Sequence, residues 1–222
     1  MSEVRLIQDD GTGVATAELQ LCTAHWYGGN AEQSCANTVE SISKLFGGLK
    51  INGYYAIPMD AIPKLNHSVG GVTVTLLEDF QDIDRQMKKG ETLALSDEQA
   101  YRYIHDRYGV GDEKNTSRMK RQQQYMEAFF TKAKEKAKSD KAYVGQLFRE
   151  FEQTATTNLT AKKISGLTNR LIKGTQKGFF EIKGTSKIGK ALGDGIDHAE
   201  FYPDKESIID VMTKIYGLKK RE

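Results

Sequence analysis

Four groups of side chains in this chain could do chemistry. Glu78, Asp79, Asp82 and Asp84 crowd seven positions, and the spacing of Asp79 and Asp82, one helical turn, could hold Mg²⁺ for phosphodiester cleavage. Asp194, Asp197 and His198 form a second such polar group. Cys22-x-x-His25, with Cys35 and His67, is a soft-ligand set at a spacing zinc can use, but Cys35 shares a helical stripe with Val39 and Ile42, where a reduced cysteine behaves as a small hydrophobe. No metal and no cofactor are therefore expected. Gly184-Thr-Ser-Lys-Ile-Gly-Lys190 has the glycines and lysines of a phosphate loop without its Gly-Lys-Ser/Thr ending. No motif assigns the chain to a family, and His105 reads as a packed structural histidine.

The strongest signal is the distribution of charge. Residues 1–112 carry 9 Lys+Arg against 16 Asp+Glu, and residues 113–222 carry 23 against 14, behind a total of only +2. Within residues 114–190 there are 18 basic and 6 acidic residues, interleaved with Phe and Tyr. Such a field draws polyanions by counterion release. Lys120 and Arg121 fall on one expected helix, Lys162, Lys163, Arg170 and Lys173 on another, and Lys177, Lys183, Lys187 and Lys190 in a glycine-rich segment that lets a backbone approach a phosphate chain. Phe179 is placed as an exposed stacking platform for unpaired bases, while Phe180 shares a face with Ile182 and is expected in the core.

The elements that must position these residues read as follows. Alternation over residues 14–26 predicts a strand, and Trp26-Tyr-Gly-Gly-Asn30 a loop anchored by its tryptophan. Asn30 and Gln33 open a helix carrying Cys35, Val39, Ile42 and Phe46, which Gly47-Gly48 ends. A hairpin turning at Asn52-Gly53 is predicted over residues 49–57, and a strand over Val72, Val74 and Leu76. Helical spacing then puts Phe80, Ile83 and Met87 on a short helix, and Ser96 with Gln99 opens another whose apolar face is Tyr101, Ile104 and Tyr108. Met119, Met126, Phe130, Ala133 and Ala137, then Tyr143, Leu147, Phe151 and Ala155, predict a helical hairpin. Thr160 caps a helix with Ile164, Leu167 and Leu171 inward, residues 179–183 form a short strand or turn, and residues 204–217 a last helix before Lys219-Lys-Arg221.

The expected fold is α+β: an N-terminal small sheet with a packed helix, followed by a mainly helical basic C-terminal half, divided as an acidic unit over residues 1–111 and a basic unit over residues 112–222. The expected function is non-enzymatic, largely sequence-independent nucleic-acid binding. RNA or single-stranded DNA is favoured, because no duplex-reading motif is visible, and self-assembly into a homo-oligomer could coat the polymer. Two alternatives stand beside it: a scaffold assembling through its acidic and basic surfaces, and a metal-dependent nuclease using Asp79 and Asp82 or Asp194 and Asp197. No apolar run long enough to span a bilayer and no export leader are visible, so a cytoplasmic protein without a membrane partner is expected.

Overall fold

The computed structural model describes residues 1–7, 13–192 and 194–217 of this α+β protein. Its chain divides into two compact units, Met1–Ala56 with Thr156–Asn158 and Phe180–Glu222, and Ile57–Ala155 with Leu159–Phe179. Residue 111, where the charge changes sign, lies inside the second. Among the described residues no helix is long and apolar enough to cross a membrane.

In the first unit β1 (Ser2–Ile7) pairs antiparallel with β2 (Gly13–Leu19). The predicted strand stops there, because residues 21–25 coil into a 3-10 turn that leaves Trp26 69% exposed instead of anchored. α1 (Ala31–Leu45) starts where expected: the Asn30 side chain accepts the Gln33 amide, and Cys35 is buried on its inner face. The predicted hairpin over residues 49–57 does not form. Only β3 (Tyr55–Ala56) is extended, and its partner is the far strand β6 (Thr156–Thr157), with Asn158 Oδ1 accepting the Tyr54 amide. The glycine-rich segment is itself a hairpin, β7 (Gly184–Gly189) with β8 (His198–Pro203). α7 (Lys205–Tyr216) follows and closes on Gly217 in the left-handed conformation; Lys219-Lys-Arg221 lies outside the described residues.

The second unit is built on α4 (Asn115–Ser139). Its buried stripe is Arg121, Tyr125, Phe129, Ala133 and Ala137, strict steps of four, and not the Met119, Met126 and Phe130 expected from apolarity, which are exposed. Against it lie β4 (Thr73–Thr75) and β5 (Thr92–Ala94), a short antiparallel pair, together with α2 (Ile62–Ser68) and α3 (Asp97–His105). Val72, Val74 and Leu76 alternate inward as predicted. α3 has the expected capping box, but Tyr103 and Ala100 join Ile104 on its inner face, and Tyr108 is 72% exposed. α5 (Tyr143–Glu150) and α6 (Ala161–Lys173, capped by Thr160) complete the unit, with Ile164 inward and Leu167 outward.

The helix predicted from residue 78 is a set of turns. Asp79 Oδ1 accepts the amide of Gln81 and Asp84 Oδ1 that of Gln86, so each aspartate satisfies the backbone two residues on and diverts it from helical bonding. Phe80 and Met87 still reach the core, tied by the Phe80 N–H to the Met87 carbonyl.

One buried side chain organises the other end of α3. Asn66 donates to the Leu95 carbonyl at 3.0 Å and to Asp97 Oδ1 at 2.9 Å, and its own oxygen accepts from the Val72 amide and the Tyr125 hydroxyl. Asn66→Ala orphans several of these groups at once and is expected to lower stability by about 1–3 kcal/mol, read as a shift in the urea midpoint at unchanged slope.

Candidate functional site: the junction of helices α3 and α4

The last carbonyls of α3 have no following turn to accept from, because Asp106 leaves the helix in an extended conformation (φ −69°, ψ 138°) instead of a left-handed cap. Side chains of α4 take their place. Arg121 donates to the carbonyls of Tyr103 and Asp106, both at 2.6 Å; Gln122 donates to Ile104 at 2.9 Å, and Arg118 to His105 at 3.4 Å. A guanidinium suits this work because its donors form a rigid fork.

Arg121 is 1% exposed, with its guanidinium carbon 4.9 Å from the Phe80 ring centre and 5.8 Å from that of Tyr103. Glu78 compensates the charge, with Oε2 2.7 Å from Nε, although the Nε–H is not aligned as a hydrogen bond. Burial lowers the Arg121 pKa, and Glu78 opposes that shift. Burial likewise pushes the Tyr103 hydroxyl up to about 12. Gly111 closes the group from outside: its φ is +53°, and a Cβ there would meet Glu78 Oε1 at 2.0 Å.

Around this buried pair the charges do not balance. Arg102 takes Glu98 and Asp106, and Lys114 takes Asp112. Among the described residues Arg107, Arg118 and Lys120 have no carboxylate within ion-pair reach. Arg107 instead lies over the Tyr108 ring at 4.3 Å and donates to its hydroxyl. Arg118 donates to Asn115 Oδ1 at 2.8 Å, but its Nε is buried without a hydrogen-bond partner. Cations in the first two turns of a helix oppose the dipole and add to its positive end, so this junction attracts anions. A cavity of about 540 Å³ opens beside it, lined by Glu78, Asp79, Lys89, Asp112, Ser117 and Lys120 among others. Hydrogen bonds from the Lys114 amide and the Ser117 side chain hold the Asp112 carboxyl below its ordinary pKa. Within the cavity Lys89 and Lys120 are the cations that could hold a phosphate, and Asp79 is a carboxylate that could take a proton from a hydroxyl.

The eleven residues expected to bind nucleic acid fall in both units. Arg121 is buried in the fold, and only Lys120 of the set lines the cavity beside the junction. Lys162, Lys163, Arg170 and Lys173 are exposed on α6; Lys177 and Phe179, which is 51% exposed, follow it in the same unit. Lys183, Lys187 and Lys190 belong to the first unit, where Lys187 covers the Tyr202 ring at 4.1 Å and Lys190 pairs with Asp197 at 3.7 Å. Phe180 is exposed, not in the core. Of the acidic groups, Asp79 lines the cavity, whereas Asp194 binds His198 at 2.9 Å. Among the described residues no three His, Cys, Asp or Glu side chains converge as a metal site. Arg107 and Arg118 were missed. The signal for Arg118 was available: basic residues crowded at positions 118, 120 and 121, in the first turns of a helix, are where the dipole disfavours them.

Fold and junction together define an α+β protein with an anion-attracting site at a helix start. It belongs to the LytR_cpsA_psr family, whose model matches residues 5–215. No curated protein matches. The solved structure of TagV from Bacillus subtilis is 20% identical, with 97% of this chain and 78% of that one covered and a TM-score of 0.68. Protein gbs0355 from Streptococcus agalactiae is 21% identical over 97% of this chain and 71% of its own, with a TM-score of 0.70. TagT, solved bound to LI-WTA, is 17% identical over 98% and 76%, with a TM-score of 0.62.

These findings overturn the expectation of a non-enzymatic protein binding RNA or single-stranded DNA. The chain belongs to the LytR_cpsA_psr family, and TagT, of like fold, is solved with LI-WTA and not with a nucleic acid. The physical reason the charge misled is that a basic excess reports an anionic partner of any kind and not what that partner is built from.

Proposed function

We propose that this protein is a phosphotransferase acting on a cell-wall teichoic acid. Membership of the LytR_cpsA_psr family over residues 5–215 carries the reading, and the likeness to TagT, itself solved with LI-WTA, supports it. The unneutralised Arg107, Arg118 and Lys120 supply the chemistry it needs. Phosphoryl transfer asks a protein mainly to place the donor phosphate and to balance its charge. An acceptor hydroxyl oxygen bonds to the donor phosphorus, and the bond from phosphorus to the carrier oxygen breaks. That oxygen keeps the electron pair, and the hydroxyl proton passes to the Asp79 carboxylate. Arg107, Arg118 and Lys120, which no carboxylate among the described residues neutralises, balance the charge of the phosphate, while Glu78 is paired with Arg121.

The test is transfer of labelled teichoic acid from a phosphate-linked donor to a cell-wall acceptor by the purified protein. Arg118→Ala is expected to slow it about 10²–10³-fold, as loss of a charge-stabilising donor does elsewhere. Unchanged transfer by that variant, or none by the wild type, would contradict the proposal.

A further inference from the structure

We infer that Arg121 is a positioning residue that fixes Arg107 and Arg118 relative to each other; the inference rests on the proposed anion site. At 1% exposure Arg121 cannot itself touch a ligand, so any part it has in binding acts through its neighbours. Two bonds of 2.6 Å hold the Tyr103 and Asp106 carbonyls, and the second fixes the backbone immediately before Arg107. Arg118, by contrast, is tied to the same turn only by a 3.4 Å contact with the His105 carbonyl. At that length the contact is weak. Arg121 therefore holds the turn, and Arg118, one helical turn before it on α4, keeps a charge that no carboxylate among the described residues neutralises.

The clamp is itself braced on three sides. Phe80 and Tyr103 pack their rings against the guanidinium, Glu78 balances its charge, and the missing side chain of Gly111 leaves the space that the Glu78 carboxylate fills. A lysine at position 121 would keep the charge, but a single ammonium cannot reproduce a planar fork spanning two carbonyls and a carboxylate.

The test uses the full chain and inorganic pyrophosphate as probe, titrated calorimetrically. Each variant is first shown by circular dichroism to be folded at the temperature used. Arg121→Lys is expected to raise the pyrophosphate Kd at least tenfold, and adding Arg118→Ala should then cost much less than it does in the wild type. Glu78→Gln, which keeps the shape and removes the charge, should also raise the Kd should Arg121→Lys not fold. Asn66→Ala, in the same unit but at the far end of α3, should leave the Kd within about twofold, because sites without shared partners act independently.

An equal Kd for wild type and folded Arg121→Lys would overturn the positioning role alone. An equal rise in Asn66→Ala would overturn it too, since general loosening would then suffice. No binding of pyrophosphate by the wild type would instead defeat the proposed anion site beneath it.

Discussion

Glu78→Ala is expected to lower the unfolding free energy by about 3–5 kcal/mol, because it strands a buried guanidinium without a counter-charge. Arg121 cannot turn to water: its two carbonyl bonds and the Phe80 and Tyr103 rings hold it inside. The carboxylate is largely buried as well, its side chain 12% exposed, so the screening that makes surface pairs worthless does not apply here. Chemical denaturation measures the loss. A loss below about 1 kcal/mol for Glu78→Ala would mean that water reaches Arg121.

Phe80→Ala should cost a similar amount, about 3–5 kcal/mol, for a different reason. Phe80 is fully buried, stands 5.7 Å from the Tyr103 ring and forms the floor under Arg121. Its removal leaves a cavity in the core and strips the guanidinium of a ring face. Phe80→Leu fills most of that volume and should recover the greater part of the loss. A calorimetric melt in which Phe80→Ala unfolds at the wild-type temperature would contradict this packing.

The same two residues show what the sequence could and could not reveal. Caps were legible because they are local: Asn30, Ser96 and Thr160 each bind an amide three residues on, and each helix starts where that pattern puts it. β4 was legible because alternation of Val72, Val74 and Leu76 is also local. The turns around Phe80 were not, since helical spacing of apolar residues and two aspartates bonding their own backbone leave similar patterns in the sequence. β3 pairs with a strand about a hundred residues away, which no short-range turn signal reports. The face of α4 was misjudged for a sharper reason. A charged residue was assumed to lie outside, and Arg121 is the first residue of the buried stripe. That one assumption rotated the helix, exposed Met126 and Phe130 where they were expected inside, and placed a clamp of the fold among the ligand-binding residues. Asp79, offered by the sequence only as a Mg²⁺ ligand, lines the cavity beside the junction, while Arg107 and Arg118 stand out only through which carbonyls and carboxylates lie nearby.

The central claim is that the protein takes phosphate at the start of α4 and not on its general basic surface. The most direct test is a titration of inorganic pyrophosphate into labelled protein, followed by backbone amide shifts. The shifts are predicted to concentrate at residues 105–120, around Arg107, Arg118 and Lys120, and to be abolished by Arg118→Ala. Shifts concentrated instead on the exposed face of α6, around Lys162, Lys163, Arg170 and Lys173, and unaffected by Arg118→Ala, would contradict it.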